Sequence, residues 1–323
     1  MREIEVIGNV SAIISSLKDH FVRSSNIWFR GQPLYSDELT PSIFRQGKKF
    51  GRQFNESKMY EEFVRRNPEQ FINHNDVPEW LTLMQHYGIP TRLLDWTTNL
   101  LVALYFCCNK DQEQDAALFA FDPEPLRDFK YNKLIEIQVL SHNISDFYRQ
   151  LLFEMGEILD DETLLNGYRL RDIKENPLML VNFTHITKAE DTSFESVAIK
   201  METPNTVDVN GIPVPCIYSE ITRAFSNVVP WDPPHLNSRI KQQHGCFTIH
   251  GGVYFEGKEF IKFEKMEEHP YLRNKLIKIK IKSCDKEKII QELNLPGIKE
   301  STLFPEMEYQ ARDIKNKWIT ILR

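Results

Sequence analysis

Cysteine is scarce and unpatterned: there are five, Cys107, Cys108, Cys216, Cys246 and Cys284, with no CxxC pair among them. An odd set without ligand spacing argues against a disulfide framework or a zinc site and predicts buried free thiols. Long apolar runs are missing too. No stretch of 18 apolar residues occurs, and MREIEVIGNVSAIISSL lacks the continuous apolar segment and cleavage site of a signal peptide, so a soluble, cytoplasmic protein without membrane contact is expected. Positive charge is not in surplus. Forty Lys+Arg against 46 Asp+Glu give a net charge of -6, which excludes a protein held to nucleic acid by bulk charge. There is no GxGxxG, Walker loop, HExxH or Ser/His/Asp order, so the dinucleotide-fold, nucleotide-kinase, zinc-protease and classical hydrolase classes lose their support. Repeats and low-complexity tracts are also absent. What remains is a 323-residue chain with 41% hydrophobic residues, enough to core one large domain or two.

Periodicity sets the expected elements. Val10, Ile13, Ile14 and Leu17 make the i, i+3, i+4, i+7 stripe of a helix over 9–20. A short aromatic strand at 26–31 ends at Gly31, a loop follows over 32–42, and Glu56–Arg66 returns to helical spacing before Pro68. Pro78 opens a helix that runs into the turn His86-Tyr87-Gly88-Ile89-Pro90. Residues 91–94 read as extended, and Asp95 or Thr97 is the expected cap of a buried helix over 99–109. AALFAF at 116–121 reads as a buried strand. Residues 126–211 have a different texture, with helical patterns and no glycine-rich turns, and are expected to be a helical insertion. Strands are expected again within 212–229, at 246–249 and at 275–282, where KLIKIKIK alternates in period two with its lysines on a solvated face. Asp285 is the expected cap of a helix to Leu295, and Pro305 starts a last helix through Lys317. The fold class is therefore α+β, divided into a discontinuous domain of 1–125 with 212–323 and the insertion.

Three segments hold more arginine, glutamine, histidine and tryptophan than packing needs, each at a strand edge or turn. In Trp28-Phe29-Arg30-Gly31-Gln32 a guanidinium beside a glycine can grip a phosphate or carboxylate while the backbone admits a ligand; equally, Arg30 can pair with an internal carboxylate such as Asp95. Between Met84 and Thr97, His86 is a candidate proton carrier, Tyr87 a stacking platform, and Arg92 with Asp95 a polar pair. In the third, 233–248, Arg239 and Gln243 stand four apart on one helical face, and Gln242 and Gln243 offer uncharged donors and acceptors. Cys246 reads as core rather than nucleophile. The three segments carry Arg30, Arg92, Arg239 and Lys241 against Asp95 alone, a locally basic setting within an acidic chain.

Taken in order, WFRGQ (28–32), LTPSIFR (39–45), MQHYGIPTRLLDWTTNLLVALYF (84–106), ALFAFDP (117–123), PPHLNSRIKQQHGCFTIH (233–250) and LFPEMEYQA (303–311) resemble the FRG-domain family, whose triplet is Phe29-Arg30-Gly31. The resemblance runs from about Ile27 to Arg312 and skips the segment near 125–211. Its layout is similar to that of ADP-ribosyltransferases, which implies a mixed, mostly antiparallel small sheet, split in the ADP-ribosyltransferase manner and flanked by helices. It also implies use of NAD to modify RNA, DNA or protein, in a bacterial toxin or anti-phage setting. Carried over, Arg30 with Gly31 and Gln32 is the cofactor clamp, helped by Arg92 and Arg239, and His86, Tyr87 and Thr91 form the pocket. The sequence departs from the pattern late: Gln242-Gln243 precede the strand where a catalytic Glu belongs, so Gln243 holds that place and Glu220, Glu306 or Glu308 would supply the carboxylate. Glu306 follows Pro305 at a helix start, where a carboxylate also serves the helix dipole. Two other functions stay open: a nucleic-acid-directed binder or nuclease without NAD, and a non-catalytic module that binds an antitoxin or regulatory protein through 126–211.

Overall fold

The computed structural model describes residues 1–6, 8–22, 24, 26–45, 54–72, 76–127, 132–141, 164–165, 168–169, 206–209, 212–215, 228–234, 237–255, 259–261, 265–269, 272 and 275–318. Seven strands build one mixed sheet: β1 (Arg2–Glu5), β2 (Trp28–Gln32), β3 (Leu93–Thr97), β4 (Ala116–Phe121), β5 (Val228–Trp231), β6 (Gly245–His250) and β7 (Ile277–Ile281). In space they run β1-β7-β4-β2-β3-β6-β5. Only β1 and β7 pair in parallel, and the other neighbours are antiparallel. The α+β class and the mostly antiparallel sheet agree with the sequence.

The helices are α1 (Val10–Lys18), α2 (Ser42–Arg45), α3 (Glu56–Arg66), α4 (Val77–His86), α5 (Leu100–Cys108), α6 (Asn132–Leu140), α7 (Ser238–Gln242), α8 (Ser283–Asn294), α9 (Glu300–Leu303) and α10 (Met307–Lys317). Central β4 has all six residues buried because both faces of the sheet are covered. On one face α1, α5 and α8 pack through Ile13, Leu17, Val102 and Ile289 against Phe29 and Ile279. On the other, Trp28, Leu94, Trp96, Phe119 and Phe121 are covered by Leu39, Leu126, Met266 and Leu272 from connecting segments. Helix α5, LLVALYFCC, is apolar on every side because it lies buried on β2 and β4.

The sheet has a seam between β2 and β3. A single pair, Phe29 opposite Thr97, joins them. Continued by two residues, that register would set Gly31 against Asp95, but instead the Arg30 guanidinium donates from Nη1 to the Asp95 carbonyl oxygen at 2.6 Å. A side chain thus satisfies a strand carbonyl that the ladder leaves open.

Several local expectations are corrected. A Cβ on Gly31 would lie 1.9 Å from the Ala103 carbonyl oxygen and 2.8 Å from the Cys107 nitrogen, so this glycine admits helix α5, not a ligand. The β7 lysines do not form a solvated face: Lys278 is 9% exposed with Nζ 4.1 Å from the Tyr35 ring centroid, and Lys280 pairs with Asp115 at 3.0 Å. Asp285 does not cap α8. Lys282 holds that position, and Asp285 Oδ2 accepts from the Gly8 nitrogen at 3.1 Å. Cys107, Cys108 and Cys246 are buried free thiols as expected, whereas Cys284 is exposed; Cys216 lies outside the described residues.

Of the segment read as a helical insertion, the described parts include Leu126 and Arg127, α6 with Ser141 after it, a short ladder of Leu164–Leu165 with Tyr168–Arg169, and part of the ladder Thr206–Val209 with Ile212–Pro215. The helical patterns at 147–160 and 175–186 lie outside the described residues. Helix α6 packs on α3 and α4. Among the described residues no helix is long and apolar enough to cross a membrane.

Candidate functional site

The first wall of the site grows from α4. Asp76 caps it, accepting from the Glu79 nitrogen at 3.0 Å, and Pro78 fits its first turn. Gly88, at φ +83, ends it and turns the chain toward β3. Within this turn the Gln85 amide is fixed from both ends: its oxygen accepts from the Thr91 hydroxyl, and its Nε2 donates to Asp95 Oδ1 at 2.7 Å. Asp95 Oδ2 stands 3.5 Å from Arg30 Nη1. The carboxylate is therefore steered by two donors while its side chain stays 63% exposed. Burial pushes the Arg30 pKa down and Asp95 pulls it back up; an arginine so placed stays a cation at neutral pH. Its Nε is enclosed with no partner among the described residues.

The second wall is α7. Asn237 caps it, accepting from the Ile240 nitrogen at 2.8 Å, and Arg239 and Gln243 fall on one face as their spacing predicts. The Arg239 guanidinium carbon sits 4.7 Å from the Phe304 ring centroid, and Phe304 stacks on Tyr309 with centroids 4.7 Å apart. Gln243 donates to the Leu303 carbonyl at 3.1 Å, and its own carbonyl accepts from Thr97 Oγ1 at 2.7 Å, tying α7 to β3 and α9. Between the walls lies a cavity of about 110 Å³. Thr82, Gln85 and His86 line it from α4, Asn237, Arg239 and Gln243 from around α7, and Asp95, Trp96 and Phe247 from the strands.

So Gln243, His86 and Arg239, three of the site residues expected from sequence, meet in one cavity, with Arg30 reaching it through Asp95. Tyr87 is 69% exposed beside His86, ring centroids 5.1 Å apart, but does not line the cavity. Thr91 is fully buried and acts through Gln85. Gln32 is buried, donating to the Glu38 carbonyl at 3.3 Å, and Gly31 packs under α5. Glu306 sits at the N-cap position of α10 and, like Glu308, is not among the cavity's lining residues; Glu220 lies outside the described residues. Asp95 is the residue that sequence reading misplaced. It does not cap α5, where Asn99 does so, and it lies mid-strand, with its neighbours Leu94 and Trp96 turned into the core. Leu93 and Thr97, on the same side of the strand, are buried, so the signal that could have found Asp95 is a lone carboxylate in an otherwise buried strand.

Arg92 does not reach the cavity. It is 1% exposed and pairs with Glu56, not Asp95, with Nε to Oε2 at 2.9 Å; its Nη1 donates to Gln138 Oε1 at 3.0 Å and to the His250 carbonyl at 3.1 Å. Four of the five guanidinium N–H groups are bonded inside the protein, which makes Arg92 an internal ion pair rather than part of this cavity. Arg92→Leu strands the Glu56 charge and is expected to cost about 3–5 kcal/mol in urea unfolding, whereas the double variant with Glu56→Leu recovers most of that loss.

Behind the same strands His250 is fully buried, with Nε2 2.8 Å from Thr248 Oγ1, which also accepts from Trp96 Nε1 at 2.9 Å. Burial first, then the charges of Arg30, Arg92 and His269, lower its pKa from 6.5 to about 3. The folded state holds this imidazole neutral while the unfolded chain protonates it below 6.5. The stability so contributed is complete above pH 6.5 and falls progressively toward pH 3. Between pH 6.5 and 4.5 this amounts to about 2 kcal/mol. Urea melts across that range are expected to lose much of their pH slope in His250→Gln.

A family model described as FRG domain matches residues 25–116. It covers Arg30, His86 and Asp95 and stops short of α7. No curated protein and no solved structure matches the chain.

Proposed function

With residues 25–116 being an FRG domain, we propose that the chain is an ADP-ribosyltransferase-like enzyme that uses NAD to modify a macromolecular acceptor, RNA, DNA or protein. One observation carries the reading: an open carboxylate, Asp95, steered by Gln85 and Arg30, at a cavity that also holds His86, Arg239 and Gln243. Breaking the bond between ribose and nicotinamide builds positive charge on the ribose, and a fixed carboxylate in a partly enclosed site stabilises that charge. Asp95 takes this role in place of the missing glutamate. Arg239, held ready by Phe304, is the cation for the phosphates, and Arg30 acts through Asp95. His86 is placed to accept the acceptor's proton, and Gln243 offers an amide to the carboxamide of nicotinamide. At about 110 Å³ the cavity takes at most a single ring, which leaves the ribose and the adenosine end across its open rim.

The reading is tested by incubating the full chain with NAD labelled in its adenylate part, together with RNA, DNA or protein. Transfer of label to one acceptor class, lost in Arg239→Ala, is the expected result. Label transfer that survives Arg239→Ala removes this cavity from the reaction. Salt-sensitive oligonucleotide binding without NAD turnover would instead favour nucleic-acid recognition.

A further inference from the structure

Helix α10 has no buried residue, and among the described residues its ion pairs and its stack on Phe304 lie on one side, with Gln310 donating to the Pro305 carbonyl at 3.0 Å from the edge. Tyr309 stacks on Phe304, Arg312 pairs with Glu300 at 2.8 Å, and Asp313 pairs with Lys299 at 2.9 Å. At 100° per residue these three sit around one face. The opposite face carries Met307, Ala311, Ile314 and Trp318 in the order i, i+4, i+7, i+11, and Met307, Ile314 and Trp318 are 85%, 61% and 74% exposed. Single exposed apolar side chains are ordinary, but a stripe in register along a whole helix is the pattern of a helix waiting for a partner.

The residues beside the stripe say which partner fits. Glu308 and Lys315 flank it on one edge, and Gln310 and Lys317 on the other. In an antiparallel pair related by a twofold axis, each edge meets its own copy. Glu308 of one copy then faces Lys315 of the other, twice, about a centre between Ala311 and Arg312, which is also near the middle of the stripe. Ala311 sits at the crossing, where a small side chain lets the helices approach. A parallel pair would instead bring Lys315 and Lys317 of the two copies to nearly the same height. From this self-complementarity we propose that α10 is a homodimer interface, two copies packing antiparallel through Met307, Ala311, Ile314 and Trp318. The stripe is only about 16 Å long at 1.5 Å per residue, so the interface is small and the association is expected to be weak. The interface lies one aromatic stack from the candidate site, because Tyr309 supports Phe304 and Phe304 supports Arg239.

Sedimentation equilibrium of the full chain from about 1 to 200 µM tests this, with circular dichroism to verify that each variant is folded. A monomer–dimer equilibrium is expected, with association weakened at least about 100-fold by Ile314→Glu. Glu308→Lys and Lys315→Glu should each raise the dissociation constant about tenfold, and the two together should return it close to the original, since the pairs are restored with reversed sign. A chain that stays monomeric throughout, or a dimer indifferent to Ile314→Glu, overturns the proposal. A dimer in which the double charge reversal is as weak as the single ones overturns the antiparallel register.

Discussion

Asp95→Asn is expected to lower turnover of NAD by about 10²- to 10³-fold while leaving its apparent affinity within a few-fold, because the change removes charge without changing shape. The carboxylate is 63% exposed and does not cap a helix, so beyond its 3.5 Å pairing with the Arg30 cation it adds little to folding that an amide would not. Its two steering donors allow a graded series. Gln85→Leu leaves the charge but frees its direction and releases the Thr91 hydroxyl, and is expected to cost about tenfold in turnover. Initial-rate measurements across Asp95→Asn, Gln85→Leu and wild type, with thermal melts showing that each variant is folded at the assay temperature, separate chemistry from folding. Equal turnover in Asp95→Asn would remove Asp95 from the reaction.

Gly31→Ala is expected to destroy the native state rather than the activity alone. A Cβ there would stand 1.9 Å from the Ala103 carbonyl oxygen, against backbone that cannot rotate away as a side chain can. Helix α5 would have to lift from β2, opening the core of Ile13, Phe29, Val102, Ala103 and Cys107. The expected readouts are loss of the cooperative thermal transition and recovery of the chain in the insoluble fraction. By contrast Arg30→Lys keeps a cation at the seam but loses the bond geometry that spans to the Asp95 carbonyl, and should remain folded with reduced stability. A Gly31→Ala chain that melts like wild type would show that α5 can shift away from β2 at little cost.

The contrast between these two residues shows what could be read in the chain before its fold was known. Element positions were legible wherever periodicity or a breaker was strong: α3 over Glu56–Arg66 and β4 over Ala116–Phe121 fall where predicted. The two polar segments at 84–97 and 233–248 meet at one cavity, although several of their donors, Thr91 and Arg92 among them, serve bonds inside the protein. The particular job of each polar residue was not legible. Arg30 and Arg92 look alike in sequence, yet one sits at the seam and the other is enclosed by Glu56, Gln138 and the His250 carbonyl. That distinction depends on residues 36, 46 and 158 positions away from Arg92, which no local pattern encodes. Gly31 was read as room for a ligand when the crowding comes from a helix more than 70 residues on. Asp95 was read as a cap because an acidic residue before a helix usually is one, while Asn99 lay closer to the helix start. Lys278 was assigned to solvent by alternation alone, and its burial against Tyr35 follows from how residues 33–36 cross the sheet.

The most direct test of the proposed site is hydrogen exchange of the full chain with and without saturating NAD. Protection is expected in the segments 82–87, 94–97 and 237–247, the two walls and the floor of the cavity, and is expected to disappear in Arg239→Ala while the rest of the exchange map stays unchanged. Exchange in those segments that does not respond to NAD, or protection confined to residues away from the cavity, would contradict the assignment of this pocket to the dinucleotide.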